Sequence, residues 1–409
     1  MKAHTFLSTA WLAAVLGTGC ASPEAIRPVE QRLTPATHQL AGEVTASLSV
    51  HVRTKGAPAD DPRTARPLST HHFRQLVETL SEPDADFFSD NFISNETSYL
   101  QITDALGEHV SQGGVYLGVG PEQNFTYIAL TKPSRAYIVD VRRDNMVHHL
   151  LFKAAFDTAR SRSEFLTLLT GRPYDDQTPR PADGSIDQVL AHAERLPATQ
   201  ESYEQVHRKL LSRIEGVYGF ELDATDSRSL QRSHRAFFSD GLDIRFKLRD
   251  QAIRKYPSLR ELLTASDPRG RQQGFLATED AFRFVQRMQR ENRIIPLVGD
   301  FAGDRAMPGL AAHLAEERLT VSSFYVSNVE QYLMGDGVWW KWRRNIAALP
   351  TDDRSVFIRA YLDQGNPHPE QMSGHRTTTT LQRIADFNQR KRPYASMLAL
   401  ATDHMLALR

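Results

Sequence analysis

The chain has one cysteine in 409 residues, Cys20. That excludes a disulfide framework and any cysteine-based zinc site. It has no net charge, with 49 Lys and Arg against 49 Asp and Glu. So even a balance gives no long-range field to gather phosphate backbones, and nucleic acid is excluded as an expected partner. No later stretch approaches the roughly 18 apolar residues a span needs, and the N-terminal run, Phe6 to Leu16, is too short to cross a bilayer. Catalytic signatures are also missing. There is no H-E-x-x-H, no G-x-S-x-G elbow and no G-x-x-x-x-G-K-[ST] loop. The adjacent pairs His71-His72 and His148-His149 would diverge around a helix, so no dedicated metal site is expected.

What is present begins with an export pattern. Lys2 precedes the short apolar run, and the small residues Gly17, Thr18 and Gly19 lead directly to Cys20. Residues 1–19 are therefore expected to be a signal peptide, with Cys20 as the lipidation site. The pattern resembles the lipobox of bacterial lipoproteins, although the preferred leucine sits one place early, at Leu16. Ala21 and Ser22 lack the aspartate of an inner-membrane retention signal, which points to the outer membrane. Ordinary secretion with a free thiol is the alternative. Removing residues 1–19 takes away one lysine and leaves 48 basic and 49 acidic side chains.

Residues 20–70 are rich in Pro, Ala, Thr and charge and read as a flexible tether. One alternating run, Val44, Ala46, Leu48, Val50 and Val52, has strand period. From His71 the pattern becomes globular. Phe73, Leu76, Val77 and Leu80 recur at helical spacing, and Ser81 and Pro83 end that helix. Strands are predicted at 114–120, 135–141, 294–298, 319–326 and 355–362. Helices are predicted at 122–131, 146–169, 306–317 and 329–349, with another running from its N-cap, Thr278, to residue 290. The expected fold is α/β, a Rossmann-like, doubly wound, mainly parallel sheet. It is split into 71–170 and 275–409 by a mostly helical insertion, 171–274.

In such a sheet, ligands bind outside the carboxyl ends of the strands. The loop after the first strand is Gly118-Val-Gly-Pro-Glu-Gln-Asn124. There Gly118 and Gly120 would let the backbone approach a ligand at a helix N-terminus, with Asn124 beside it. Asp140 ends the second strand, 22 residues after Gly118, at a spacing suited to ribose hydroxyls. Asp300 ends the third. Each feature also has a plainer explanation. The glycines can make a tight turn, and Asp140 and Asp300 can be helix caps or partners of Arg142, Arg143 or Arg305. Asn91, Asn95 and Glu96 either cover the crevice mouth or form turns. Trp339, Trp340 and Trp342 are either a stacking surface or core anchors beneath a basic face.

A glycine loop, an acid after strand two and an acid after strand three resemble the class I S-adenosylmethionine-dependent methyltransferases. More closely, GVYLGVGPEQNFTYIA, AYIVDVRRDN, PLVGDFAG and FYVSNVEQYL resemble the signature blocks of an uncharacterised bacterial family over most of residues 85–365. The methyltransferase resemblance implies S-adenosylmethionine held by Gly118, Gly120, Asp140 and Asp300. It transfers no catalytic residue. Gln123 in place of a third glycine argues against NAD, and Ser327-Asn-Val-Glu330 lacks the paired prolines of amino-methylating enzymes. Two functions follow as expectations. One is an envelope protein with a crevice for an adenosine-type small ligand. The other is a non-catalytic lipoprotein that uses the fold to bind a protein or small molecule.

Overall fold

The computed structural model describes residues 66–87, 89–248 and 256–408. Cys20, the signal peptide, the alternating run at 44–52 and nearly all of the tether lie outside the described residues.

The strands form where β-branched and aromatic residues run without interruption. They are β1 (Val115–Gly118), β2 (Arg135–Asp140), β3 (Ile294–Val298), β4 (Val321–Ser327), β5 (Thr351–Leu362) and β6 (Thr377–Arg383). Every residue of β1, β2 and β3 is buried, as expected for parallel strands covered on both faces. The sheet order is β3-β2-β1-β4-β5-β6, with the first five parallel and β6 antiparallel to β5. The five predicted strands are therefore present in a mainly parallel sheet. β6 was not among the predicted strands. All four of its threonines, Thr377 to Thr380, are buried, two of them under hydroxyl contacts from Ser98.

The helices are α1 (Thr70–Leu80), α2 (Thr103–His109), α3 (Gln123–Thr131), α4 (Arg143–Thr158), α5 (Arg162–Leu169), α6 (Ile186–Ala193), α7 (Gln200–Ser212), α8 (Ala224–Asp240), α9 (Leu259–Leu263), α10 (Glu279–Arg290), α11 (Ala306–Glu316), α12 (Val329–Gly335), α13 (Trp339–Ala348), α14 (Ile384–Gln389) and α15 (Met397–Thr402). The helix expected over 146–169 is two. Ala159 turns extended, and the Ser161 side chain caps a new start by accepting from the Glu164 N–H. The stretch 329–349 is also two helices, separated at Gly337, whose φ of 71° only glycine adopts cheaply.

Crossovers from β1 through β2 to β3 pack α3, α4 and α10 together, and the return through β4 and β5 packs α11, α13 and α14 together. Right-handed crossovers put these two groups on opposite faces. Each has its own aromatic core. Phe125 meets Phe156 at 5.1 Å and Phe275 at 5.5 Å on one side, while Trp342 stacks on Phe301 at 5.3 Å on the other. Trp342 is thus a core anchor, and its indole N–H donates to Glu330. Trp340 is 60% exposed. The helices α7 and α8 pack on α4. Buried Arg162 ties both ends of this helical region to α5 by donating to the carbonyls of Pro181, Ala182, Gly184, Leu276 and Ala277.

Candidate functional site at the carboxyl edge of the sheet

The chain leaves β1 toward β2 and β3 on one side and returns to β4 on the other. The β1/β4 boundary is therefore the switch point where a ligand crevice is expected. Gly118, Gly120, Asp140 and Asp300 do lie at the carboxyl ends of β1, β2 and β3. Their local surroundings, however, are filled by the protein itself.

Asn124 closes the glycine loop from within. Its Nδ2 donates to the carbonyls of Val119 at 2.9 Å, Gly120 at 3.1 Å and Pro121 at 2.7 Å, while Oδ1 accepts from the Tyr116 hydroxyl at 2.9 Å. Gly118 exists to admit this side chain, since a Cβ there would fall 1.9 Å from Asn124 Oδ1. Gly120 has φ 75°, and its carbonyl also accepts from His149 Nε2 at 2.8 Å. Burial drives His149 down to about 4, so the ring is neutral at pH 7 and donates through Nε2. What approaches this loop closely is the protein's own Asn124 and His149.

Asp140 is 4% exposed and fully engaged by Arg142. Arg142 Nε lies 3.0 Å from Oδ1 and Nη2 2.8 Å from Oδ2, and the Arg142 N–H adds a third bond at 3.0 Å. Arg142 also donates to the carbonyl of Asp90. Asp300 accepts from the Ala302 N–H, and its own N–H donates to Glu82. Of the two proposed partners beyond Arg142, Arg143 pairs with Asp226 instead.

Residues 81–87 and 89–98 run across this whole edge. Glu82 donates to the Val298 carbonyl at the end of β3, and its carboxylate accepts from the N–H groups of Asp300 and Ala306. Ala85 bonds Val141 beyond β2, the Phe92 carbonyl accepts from His148, and the Ser94 N–H meets both oxygens of Glu122 at 3.1 Å. Ser98 ends the crossing on β6. This segment acts as a strap. It places Glu96, 3% exposed, at the switch point, where the carboxylate accepts from Gln123 at 2.8 Å and from the Ser327 hydroxyl. Gln123 also donates to Tyr127 and Tyr325. Ser327 has φ 51°, a left-handed conformation that costs a non-glycine residue on the order of 1 kcal/mol. Burial raises Glu96 and pushes Glu122 up to about 7, so this corner favours protonated carboxyls near neutrality.

An adenosine-type cofactor does not fit these residues as they stand. Asp140 has no free oxygen for ribose, the glycine loop is buried, and the strap covers the approach. One feature remains unsatisfied: both polar atoms of the Asn145 side chain and Nδ1 of His149 are buried without a partner, one turn apart on α4. The i, i+4 spacing of Asn145 and His149 was the available signal in the sequence. Tyr127 and Tyr325 gave none, since each reads as an ordinary core position.

A mixed α/β protein with a six-stranded, mostly parallel sheet is the class these observations define. Within it, the chain belongs to the family described as Domain of unknown function (DUF7790), whose model matches residues 91–406. No curated protein matches the chain.

Proposed function

We propose that this is an exported, lipid-anchored cell-envelope protein that works as a non-catalytic binding protein. The sequence around Cys20 supports the anchoring. The observation that carries the binding reading is the strap: the place where an adenosine-type ligand would sit is occupied by Arg142 and by residues 81–87 and 89–98. A buried ion pair and a hydrogen-bonded crossing are elements of a scaffold, and a scaffold leaves recognition to other surfaces. A second reading is favoured by the orphaned atoms of Asn145 and His149, which a polar ligand would satisfy once the strap lifted.

The test uses the full chain made in a bacterium with an intact envelope. Mass spectrometry of the mature N-terminus is expected to find a lipid-modified Cys20. The unfolding midpoint of the same preparation is expected to stay unmoved by millimolar S-adenosylmethionine, its demethylated product or nucleosides. An unmodified first residue overturns the anchoring. A shift of several degrees, as a ligand at 100 times its Kd produces, overturns the scaffold reading in favour of the second.

A further inference from the structure

Asn95 and Thr97 flank Glu96 in the strap, and while Glu96 turns inward to Ser327, its two neighbours line a cavity of about 510 Å³ on the outer side. That volume lies within the range of roughly 300 to 1,000 Å³ that takes small organic ligands. Three segments distant in the chain form its walls: the strap, the residues around α9, and the β5–β6 connection with the start of β6. Pro257, Leu262, Ala265 and Leu362 supply the apolar part.

The charged groups are not balanced. Arg245 is spent on Glu261 at 2.8 Å, and Glu261 also accepts from the Ser258 N–H and hydroxyl. That carboxylate is held below its ordinary range by these bonds, so it is ionised and cancels Arg245. His375 faces Thr97 through Nδ1 at 3.0 Å, and burial keeps the ring on the neutral side. Exposed Arg376 also lines the cavity, and among the described residues its guanidinium has no carboxylate or carbonyl partner and the Asn95 amide is unbonded. Among the described residues, one cation without a carboxylate partner and one free amide thus stand beside an apolar wall. A guanidinium is suited to bidentate pairing with an oxyanion.

We propose that this cavity binds a small organic acid with an apolar body, its carboxylate on Arg376 and Asn95 and its hydrocarbon against Leu262, Ala265 and Leu362. The proposal deepens the binding reading above and rests on it. It is tested by a different ligand set, so its failure leaves the anchoring result and the adenosyl-ligand result standing.

The experiment is calorimetric titration of the full mature chain with decanoate, decanol, acetate and inorganic phosphate, below micelle-forming concentrations. Decanoate is expected to bind at least 10-fold more tightly than decanol, and acetate and phosphate not to bind measurably. In Arg376→Gln, an exposed position whose loss leaves the fold intact, decanoate falls to the decanol level while decanol is unchanged. Ala265→Phe, which fills the cavity, abolishes both. Equal affinity for decanoate and decanol, undiminished decanoate binding in Arg376→Gln, or acetate or phosphate binding as well as decanoate would each overturn the proposal. So would decanoate binding that survives in a folded Ala265→Phe.

Discussion

At the scale of single residues, Gly118 and Asn124 act as one unit. Gly118→Ala drives Asn124 off its three carbonyls and is expected to cost on the order of 2 to 4 kcal/mol, combining overpacking with unsatisfied buried groups. Asn124→Ala leaves the same carbonyls unpaired and costs about 1 to 3 kcal/mol. The double variant removes the clash with Asn124 but leaves the new Cβ 2.7 Å from the Tyr116 ring, so its loss in urea unfolding falls short of the sum by the Asn124 share alone. Additive losses would show that the glycine serves something other than Asn124. The sequence made both residues visible as a site, because a two-glycine loop before a helix has one appearance whether a ligand or a side chain fills it. What separates the two cases is the position of a single carboxamide, and no periodicity reports that. Asp140 was legible in the same partial way: its place at the end of β2 followed from the strand pattern, while the choice between ribose and Arg142 depended on a rotamer.

At the scale of elements, the strands and helix starts were readable where packing and local chemistry agree. β3 has the predicted bounds, and the Thr278 side chain caps α10 as expected. Legibility failed where tertiary contacts override local pattern, as in β6, two of whose buried threonines meet the Ser98 hydroxyl, and at Ala159, where one amphipathic run bends into two helices. The layer of α4 and α8 carries a measurable consequence. Burial lowers His148 to about 3, His149 to about 4 and His234 to about 3, so all three are neutral when folded. The unfolded chain protonates them near pH 6.5, so their contribution is complete above that pH and is lost as pH falls. Glu122, raised to about 7, and Glu96, also raised, act in the opposite sense, since the folded state holds their protons first. The histidines therefore make stability fall as pH drops below about 6.5, and the two carboxyls partly offset that fall. Glu122→Gln removes one opposing group and should steepen the loss by up to about 1.4 kcal/mol per pH unit between about pH 6.5 and 4.5. Urea unfolding at pH 6.5, 5.5 and 4.5 checks both, and a shallower slope in Glu122→Gln would contradict the assignment.

At the scale of the whole molecule, the sheet, the strap and the Asp140–Arg142 pair form one closed edge. Arg142 joins the end of β2 to the strap through the Asp90 carbonyl, so the ion pair also holds the cover in place. The most direct test is the unliganded unfolding midpoint of Asp140→Asn. Removing one partner of a buried pair strands the other charge and costs about 3 to 5 kcal/mol. For a domain of this size that is a fall of roughly 4 to 7 °C. If Asp140 is a structural partner of Arg142, the midpoint drops by that amount with no ligand present. A midpoint equal to the wild type, together with a wild-type midpoint that S-adenosylmethionine raises and a variant midpoint that it does not, would contradict the closed edge and return Asp140 to ligand binding.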